Sequence, residues 1–267
     1  MSTSTFNPFA LIRAHGDGIT RGVTQALPID MVRNLLPVGL EPGPQDVTPP
    51  GTHPVIVFFH DFFRAGFSIP SLFPSQSYRE FSLGVPFSYL SRDSITPGHP
   101  GPYHFMPRLF LDNPFATLTG LLGWGMAKRM GTVQLTADRY SITDYSGQRV
   151  TSLSWKADAN SPHLPISQFP NFAPVQGMLR QPLILHYPLG MGPFFIAANY
   201  DRDWDSARIR PIQTVMEVDV EYVPGYFAAR YPADGYSPAI DESVLGSYEL
   251  VAPWYLSMPY PPVFSFR

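Results

Sequence analysis

Apolar residues recur mostly at two-residue spacing, in short runs broken by proline and glycine. Met216, Val218, Val220 and Tyr222 alternate with Glu217, Asp219 and Glu221, the pattern of a strand with one wet face. Residues 55–59 form a continuous apolar run ending in His60 and Asp61, which predicts a strand buried on both sides. Further strands are predicted at 81–90, 109–111, 132–136, 183–187, 194–198 and 246–250. Residues 140–143 and 150–155 pair as a hairpin across a glycine-containing loop. Residues 37–54, 62–74 and 96–102 have no clean period and read as irregular crossings, and the four prolines of the tail at 254–266 confine any pairing there to a sheet edge.

Helical spacing interrupts the pattern in two places. Residues 28–36 place Met31, Val32 and Leu35 on one face, with Asp30 as cap and Pro37 as stop. At 113–123, Asn113 is an N-cap and Pro114 takes the first helical position. Phe115, Leu118 and Leu122 then follow at helical spacing, predicting a short buried helix that Gly123 and Gly125 end, bringing the chain out beside Trp124 and Met126. Roughly ten short strands, few helices and no βαβ alternation point to one mainly β (α+β) domain over residues 1–267, its antiparallel sheet closed on itself or packed in two layers.

Composition sharpens this. The chain has 31 prolines in 267 residues, more than twice the usual ~5%, and 15% charged residues against a usual ~25%. Short strands joined by proline-rich turns account for both, together with surface covered by other subunits, so a homo-oligomer is expected. Net charge is −3 and the arginines are scattered singly, which argues against nucleic acid. The first residues lack a basic start with an apolar core, and no run of 18 apolar residues occurs, so the expected setting is soluble and cytoplasmic with no membrane partner. Without cysteine there are no disulfides, thiolate metal sites or cysteine nucleophiles. Serine-hydrolase elbow, phosphate loop and dinucleotide fingerprint are absent, and the histidines form no HExxH or i, i+4 pair; neither metal nor cofactor is expected. His60 reads as a satisfied histidine at a strand end. Asp201, Asp203 and Asp205 lack the glycine and glutamate of a calcium loop and read as a solvated turn.

The chemistry concentrates at Lys128, one of two lysines in the protein, with Arg129 next to it. On spacing alone, a lysine just behind a helix is a solvated partner of the helix dipole. Set among Trp124 and Met126 with a cationic neighbour, it is instead a candidate amine nucleophile, because desolvation and like charge both favour its neutral form. Glu80 stands where an apolar run begins, suited to proton transfer near a pocket, and Tyr78 shares its face on a strand.

These residues resemble the acetoacetate decarboxylase family. Asp112 and Asn113, Ala116, Gly120, then Lys128 and Arg129 before Gly131 match its helix and catalytic Lys-Lys segment in register. Glu80 in Ser-Tyr-Arg-Glu-Phe-Ser-Leu-Gly-Val-Pro is similar to the family's Tyr-x-Glu segment, and His60-Asp61 and residues 36–42 resemble family positions. The resemblance implies a cone-shaped β-barrel enclosing a pocket. It also implies Lys128 as Schiff-base nucleophile, Arg129 as activating cation and a small keto acid or related carbonyl compound as substrate. Acetoacetate decarboxylase is the standard example of a lysine activated by a neighbouring cation, so that role comes with the resemblance. Glu80 is implied as a catalytic carboxylate, with Tyr78, Trp124 and Met126 facing the substrate. Leu121-Leu122 replaces an Arg-Glu pair, Ala127 stands where the family has proline, and Val55 where it has a second glutamate. The family's carboxylate-binding arginine has no aligned counterpart, although Arg13 and Arg21 are near it in sequence. These departures predict a more apolar pocket and a β-keto acid larger than acetoacetate, as in specialised metabolism. The alternatives are Schiff-base aldol, dehydration or cyclisation chemistry without decarboxylation, and a ligand-binding barrel without activity.

Overall fold

Two-residue alternation governs the architecture. The computed structural model describes residues 13–68, 74–91, 101–157, 161–186, 194–218, 236–257 and 263–264. The strands are β1 (Arg13–Pro28), β2 (Leu40–Pro42), β3 (Thr52–Phe67), β4 (Gln76–Leu90), β5 (Tyr103–Leu111), β6 (Lys128–Met130), β7 (Thr132–Leu135) and β8 (Arg139–Thr143). They continue as β9 (Arg149–Lys156), β10 (Leu164–Pro165), β11 (Leu183–His186), β12 (Phe194–Arg202), β13 (Arg208–Val218), β14 (Tyr236–Ser237), β15 (Ser247–Ser257) and β16 (Val263–Phe264). The α-helices are α1 (Ile29–Arg33), α2 (Pro114–Trp124) and α3 (Phe172–Leu179).

Seven strands close into a ring in the order β12-β11-β5-β4-β3-β1-β15, with β12 pairing back onto β15. All neighbours in the ring are antiparallel except β11 and β5. From β15 the sheet also branches through β13 to β9, β8 and β7. This branch folds over the outside of the ring. On β3, Val55, Val57 and Phe59 face outward into a core shared with Phe81, Tyr140, Leu153 and Trp155. Ile56, Phe58 and Phe62 face the interior, where Phe62 packs with Met106, Leu183 and Trp254, and Ile56 and Phe58 with Tyr248 and the buried face of α3. The expected closed sheet is therefore present, with a second layer on one side.

Several strands are longer than their apolar runs. β3 continues through 62–67, within the stretch expected as loop, because a register shift at Arg64, in the left-handed region at φ 51°, keeps both Phe62 and Ala65 facing the interior. β1 escapes the apolar pattern altogether: glycines take interior positions, and the ring of Tyr248 lies against Gly22 where a side chain would stand. Trp254 belongs to β15, paired with both β1 and β12 rather than at an edge. α1 ends at Arg33, and Asp30 pairs with Arg33 instead of capping the helix. The expected turn at 96–102 and the far half of the alternating run at 216–222 lie largely outside the described residues.

One charged cluster sits on the outer face of the ring. Glu249 is buried and held by Arg21 Nη2 at 2.8 Å, Arg210 Nη2 at 2.6 Å and His163 Nε2 at 3.0 Å. The Arg21 guanidinium also lies 4.2 Å from the centre of the Trp155 ring. Removing the carboxylate charge would strand a buried guanidinium. Glu249→Gln is expected to cost about 3–5 kcal/mol of unfolding free energy, measured as a lower urea midpoint at unchanged slope.

Candidate active site

Helix α2 is tied to the strand that carries Glu80. Asp112 Oδ1 accepts from the Arg79 backbone N–H at 2.9 Å, and Asn113 Nδ2 donates to Gln76 Oε1 at 3.2 Å. Asn113 also caps the helix, its Oδ1 accepting from Ala116 N at 2.9 Å, with Pro114 at the first turn as expected. Gly125 ends it in the left-handed region at φ 65°. The inward face differs from expectation. Ala116, Gly120 and Trp124 turn inward, whereas Leu118 and Leu122 are 55% and 52% exposed. The reason is the lysine: a Cβ on Gly120 would fall 2.4 Å from Lys128 Cδ. Only a helix with no side chain at position 120 can lie over it without displacing the lysine.

Lys128 opens β6, which runs parallel to β5 with Lys128 opposite Leu109. Its Nζ donates to Glu80 Oε2 at 2.8 Å, and the two side chains are only 6% and 7% exposed. Nζ also lies 5.5 Å from the centre of the Tyr78 ring. Strand alternation sends the next side chain the other way. Arg129 is exposed and does not border the cavity, so the expectation that it shares the lysine's pocket is corrected. Arg13 is exposed, its guanidinium 5.5 Å from the centre of the Tyr255 ring, and Arg21 is held by Glu249 on the outer face. Neither lines the cavity.

The cavity has a volume of about 80 Å³. Tyr78, Glu80 and Lys128 form its polar side; Trp124 and Met126 border it too, so five of the six expected residues meet there. Its apolar wall comes from Phe62, Met106, Leu183, Trp254 and Leu256. The departures noted in the sequence do not supply this wall. Leu121 and Leu122 do not line the cavity, and Val55 faces the outer core.

Sequence reasoning missed His60, Tyr200 and Trp254. His60 stands directly across from Glu80 in the β3–β4 register. Its Nδ1 is 2.9 Å from Thr20 Oγ1 and its Nε2 3.2 Å from Ser82 Oγ, while its ring stacks on Phe58 and Phe62 with centroids at 5.3 and 4.8 Å. Burial, then the charges of Arg202 and Lys128, hold it well below the usual histidine range, so it is neutral. Tyr78 is pushed well above its usual value by burial and then by the Glu80 charge, which keeps its hydroxyl protonated. The alternation of Ala198, Tyr200 and Arg202 was the available signal for Tyr200. The acidic run at 201–205 masked it. Among the described residues no group of three His, Asp or Glu could hold a metal ion.

The interior histidines set an acid limit on stability. Burial lowers His104 to about 4, and His60 is also depressed, whereas an unfolded histidine titrates near 6.5. The unfolded chain therefore binds these protons first as pH falls. Stability is complete above about 6.5 and is lost below it by about 1.4 kcal/mol per pH unit for each histidine, until His104 is protonated in the native state at about 4. Urea midpoints followed from neutral to acid pH are expected to fall less steeply for His104→Gln than for the wild type.

The family model for acetoacetate decarboxylase (ADC) matches residues 20–175. No curated protein sequence matches the chain. Among solved structures, the enduracididine biosynthesis enzyme MppR complexed with pyruvate has a TM-score of 0.58 at 15% identity, covering 100% of this chain and 94% of that one. An acetoacetate decarboxylase-like enzyme from Sphingomonas wittichii RW1 has a TM-score of 0.56 at 13% identity, covering 96% of each chain. Acetoacetate decarboxylase from Legionella pneumophila has a TM-score of 0.54 at 13% identity, covering 98% of this chain and 91% of that one. At such identities these neighbours speak to the fold. The family model spans more than half of the chain and includes both Glu80 and Lys128, and the chain belongs to the acetoacetate decarboxylase family.

Proposed function

We propose that the protein is a Schiff-base lyase that decarboxylates a β-keto acid larger and less polar than acetoacetate, with Lys128 as nucleophile and Glu80 as its proton partner. The observation that carries this is the buried 2.8 Å contact between Lys128 Nζ and Glu80 Oε2 at the edge of an apolar cavity. Passing the ammonium proton to Glu80 yields a neutral amine and a neutral acid. The amine then bonds to the substrate carbonyl carbon, and the carbonyl oxygen leaves as water. The iminium formed accepts the electron pair of the carbon–carbon bond as carbon dioxide departs. Protonation of the resulting enamine at carbon and hydrolysis of the iminium release the ketone and restore Lys128. Glu80 is within reach of the nitrogen through these proton transfers, and its charge disfavours a carboxylate held beside it. Arg129 has no part in this scheme, since it is exposed. The amine is instead activated in this scheme by passing its proton to Glu80.

A second reading keeps the iminium and drops carbon dioxide loss. It is favoured by the direct contact of Glu80 with Nζ, which suits α-proton abstraction. It also fits the structural neighbour MppR, one of whose structures is complexed with the condensation product of pyruvate and imidazole 4-carboxaldehyde. A barrel that only binds ligands would have no use for a buried amine and carboxylate opening on a cavity.

Borohydride with a suitable ketone is expected to add covalently at Lys128 and not at Lys156, as read by peptide mass spectrometry; labelling of Lys156 alone removes the mechanism. Gly120→Ala is expected to lower trapping at least about tenfold by displacing Lys128, although alanine favours the helix by ~1 kcal/mol. Glu80→Gln separates the two reactions. Under decarboxylation it still traps a carboxylate-free ketone but loses keto-acid turnover, whereas in the second reading it also loses α-deuterium exchange and the wild type releases no carbon dioxide.

A further inference from the structure

Arg202 ends β12 with its side chain inside the ring, two residues beyond the cavity-lining Tyr200 and directly across the strand pair from Trp254. Only 6% of the residue is exposed, yet its guanidinium has no carboxylate partner among the described residues, and Nη1 is buried without an acceptor. The adjacent Asp201 is not a counter-ion. It is exposed, and its Oδ1 accepts from the Arg202 backbone N–H at 2.8 Å and from Trp204 Nε1 at 2.7 Å. Glu80 is engaged by Lys128. What the guanidinium does touch is aromatic: its carbon lies 4.8 Å from the centre of the Tyr200 ring and 5.7 Å from that of Trp204. Cation–π contacts offset only part of the cost of a buried charge.

The surroundings have the same imbalance. Trp254 Nε1, which borders the cavity, and the Tyr248 hydroxyl are both buried without an acceptor. The Arg202 charge acts on His60, His104 and Tyr248, which places all three near it, and the two histidines are held neutral. A buried cation with no carboxylate partner among the described residues, across the strand pair from the cavity-lining Trp254, is the complement of an anion.

We propose that Arg202, which adjoins the lining residues Tyr200 and Trp254 without itself lining the cavity, is an interior anion site at the cavity's end, which takes a substrate carboxylate that survives the reaction, with the Trp254 indole N–H as a further donor. It supplies the cation that Arg13 and Arg21, turned elsewhere, do not. The assignment of this carboxylate to the substrate rests on Lys128 reacting with the carbonyl; the anion site itself does not. A carboxylate paired with a guanidinium is stabilised in its charged form and is not the one expelled as carbon dioxide. The substrate class therefore narrows, replacing the less polar acid of the decarboxylation reading by a larger keto acid with a second carboxylate, or, if the reaction is a condensation or dehydration, becoming a keto acid that keeps its single carboxylate.

The test uses butanoate, which cannot form an imine, against its uncharged isostere butanamide. Butanoate at about a hundred times its Kd is expected to raise the wild-type Tm by roughly 5–10 °C, while butanamide does not. In Arg202→Gln and in the apolar isostere Arg202→Met, the difference between the two compounds is expected to vanish, with near-ultraviolet circular dichroism reporting that each variant is folded. Equal effects of the two compounds on the wild type, or a butanoate preference that persists in a folded variant, overturn the proposal, as does loss of the fold in both variants, which makes Arg202 structural. Borohydride trapping of 2-pentanone at Lys128 is expected to persist in the folded Arg202 variants. Absence of trapping in the wild type would overturn the Schiff-base reading while leaving the butanoate result standing.

Discussion

Where the outer layer covers the ring, its strands must bury both of their faces, and this requirement organises the rest. On β3, Phe58, His60 and Phe62 go to the interior while Val57 and Phe59 go to the outer core, so adjacent residues answer to different environments. Register across β1, β3 and β4 then sets Thr20, His60 and Glu80 side by side. A slip of one residue would exchange the polar interior set for the phenylalanines of the outer core, so register is strongly specified. The outer layer adds its own restraint, since the Tyr140 hydroxyl donates to the His60 carbonyl at 3.1 Å.

Within that frame the Lys128–Glu80 pair explains the form of its neighbours. Two desolvated opposite charges hold each other in place where either alone would be costly. The lysine reaches Glu80 only by passing beneath α2, which accounts for Gly120 and for the exposed leucines on the far side of the helix. Asp112 and Asn113 fix the start of that helix to β4, so the amine and the carboxylate are positioned by one set of hydrogen bonds. Arg202 is the counter-example among the interior charges. It has no carboxylate partner among the described residues, and its Nη1 is buried without an acceptor.

Local rules were sufficient wherever one residue type has few physical uses. Asn113 followed by proline read as a helix start, the 140–143 and 150–155 runs read as a hairpin, and Lys128 and Glu80 stood out by type and setting. Local rules failed where the packing partner is remote. β1 carries glycines because large side chains from neighbouring strands fill its interior face, which no apolar period can reveal. The leucines of α2 suggested a buried face, but the helix turns its small residues inward to accommodate a side chain several residues further along the chain.

The sequence by itself determined the class of fold, the helix start at residue 114 and the family, because capping, alternation and family motifs are written in neighbouring residues. Tertiary structure alone decided which charges meet in the interior of the ring. Lys128 and Arg129 are adjacent in sequence and point to opposite sides of a strand, whereas Lys128 and Arg202 are far apart in sequence and both act on His60. Strand alternation separates neighbours and ring closure brings distant residues together, so proximity of charge in this protein is a property of the closed sheet.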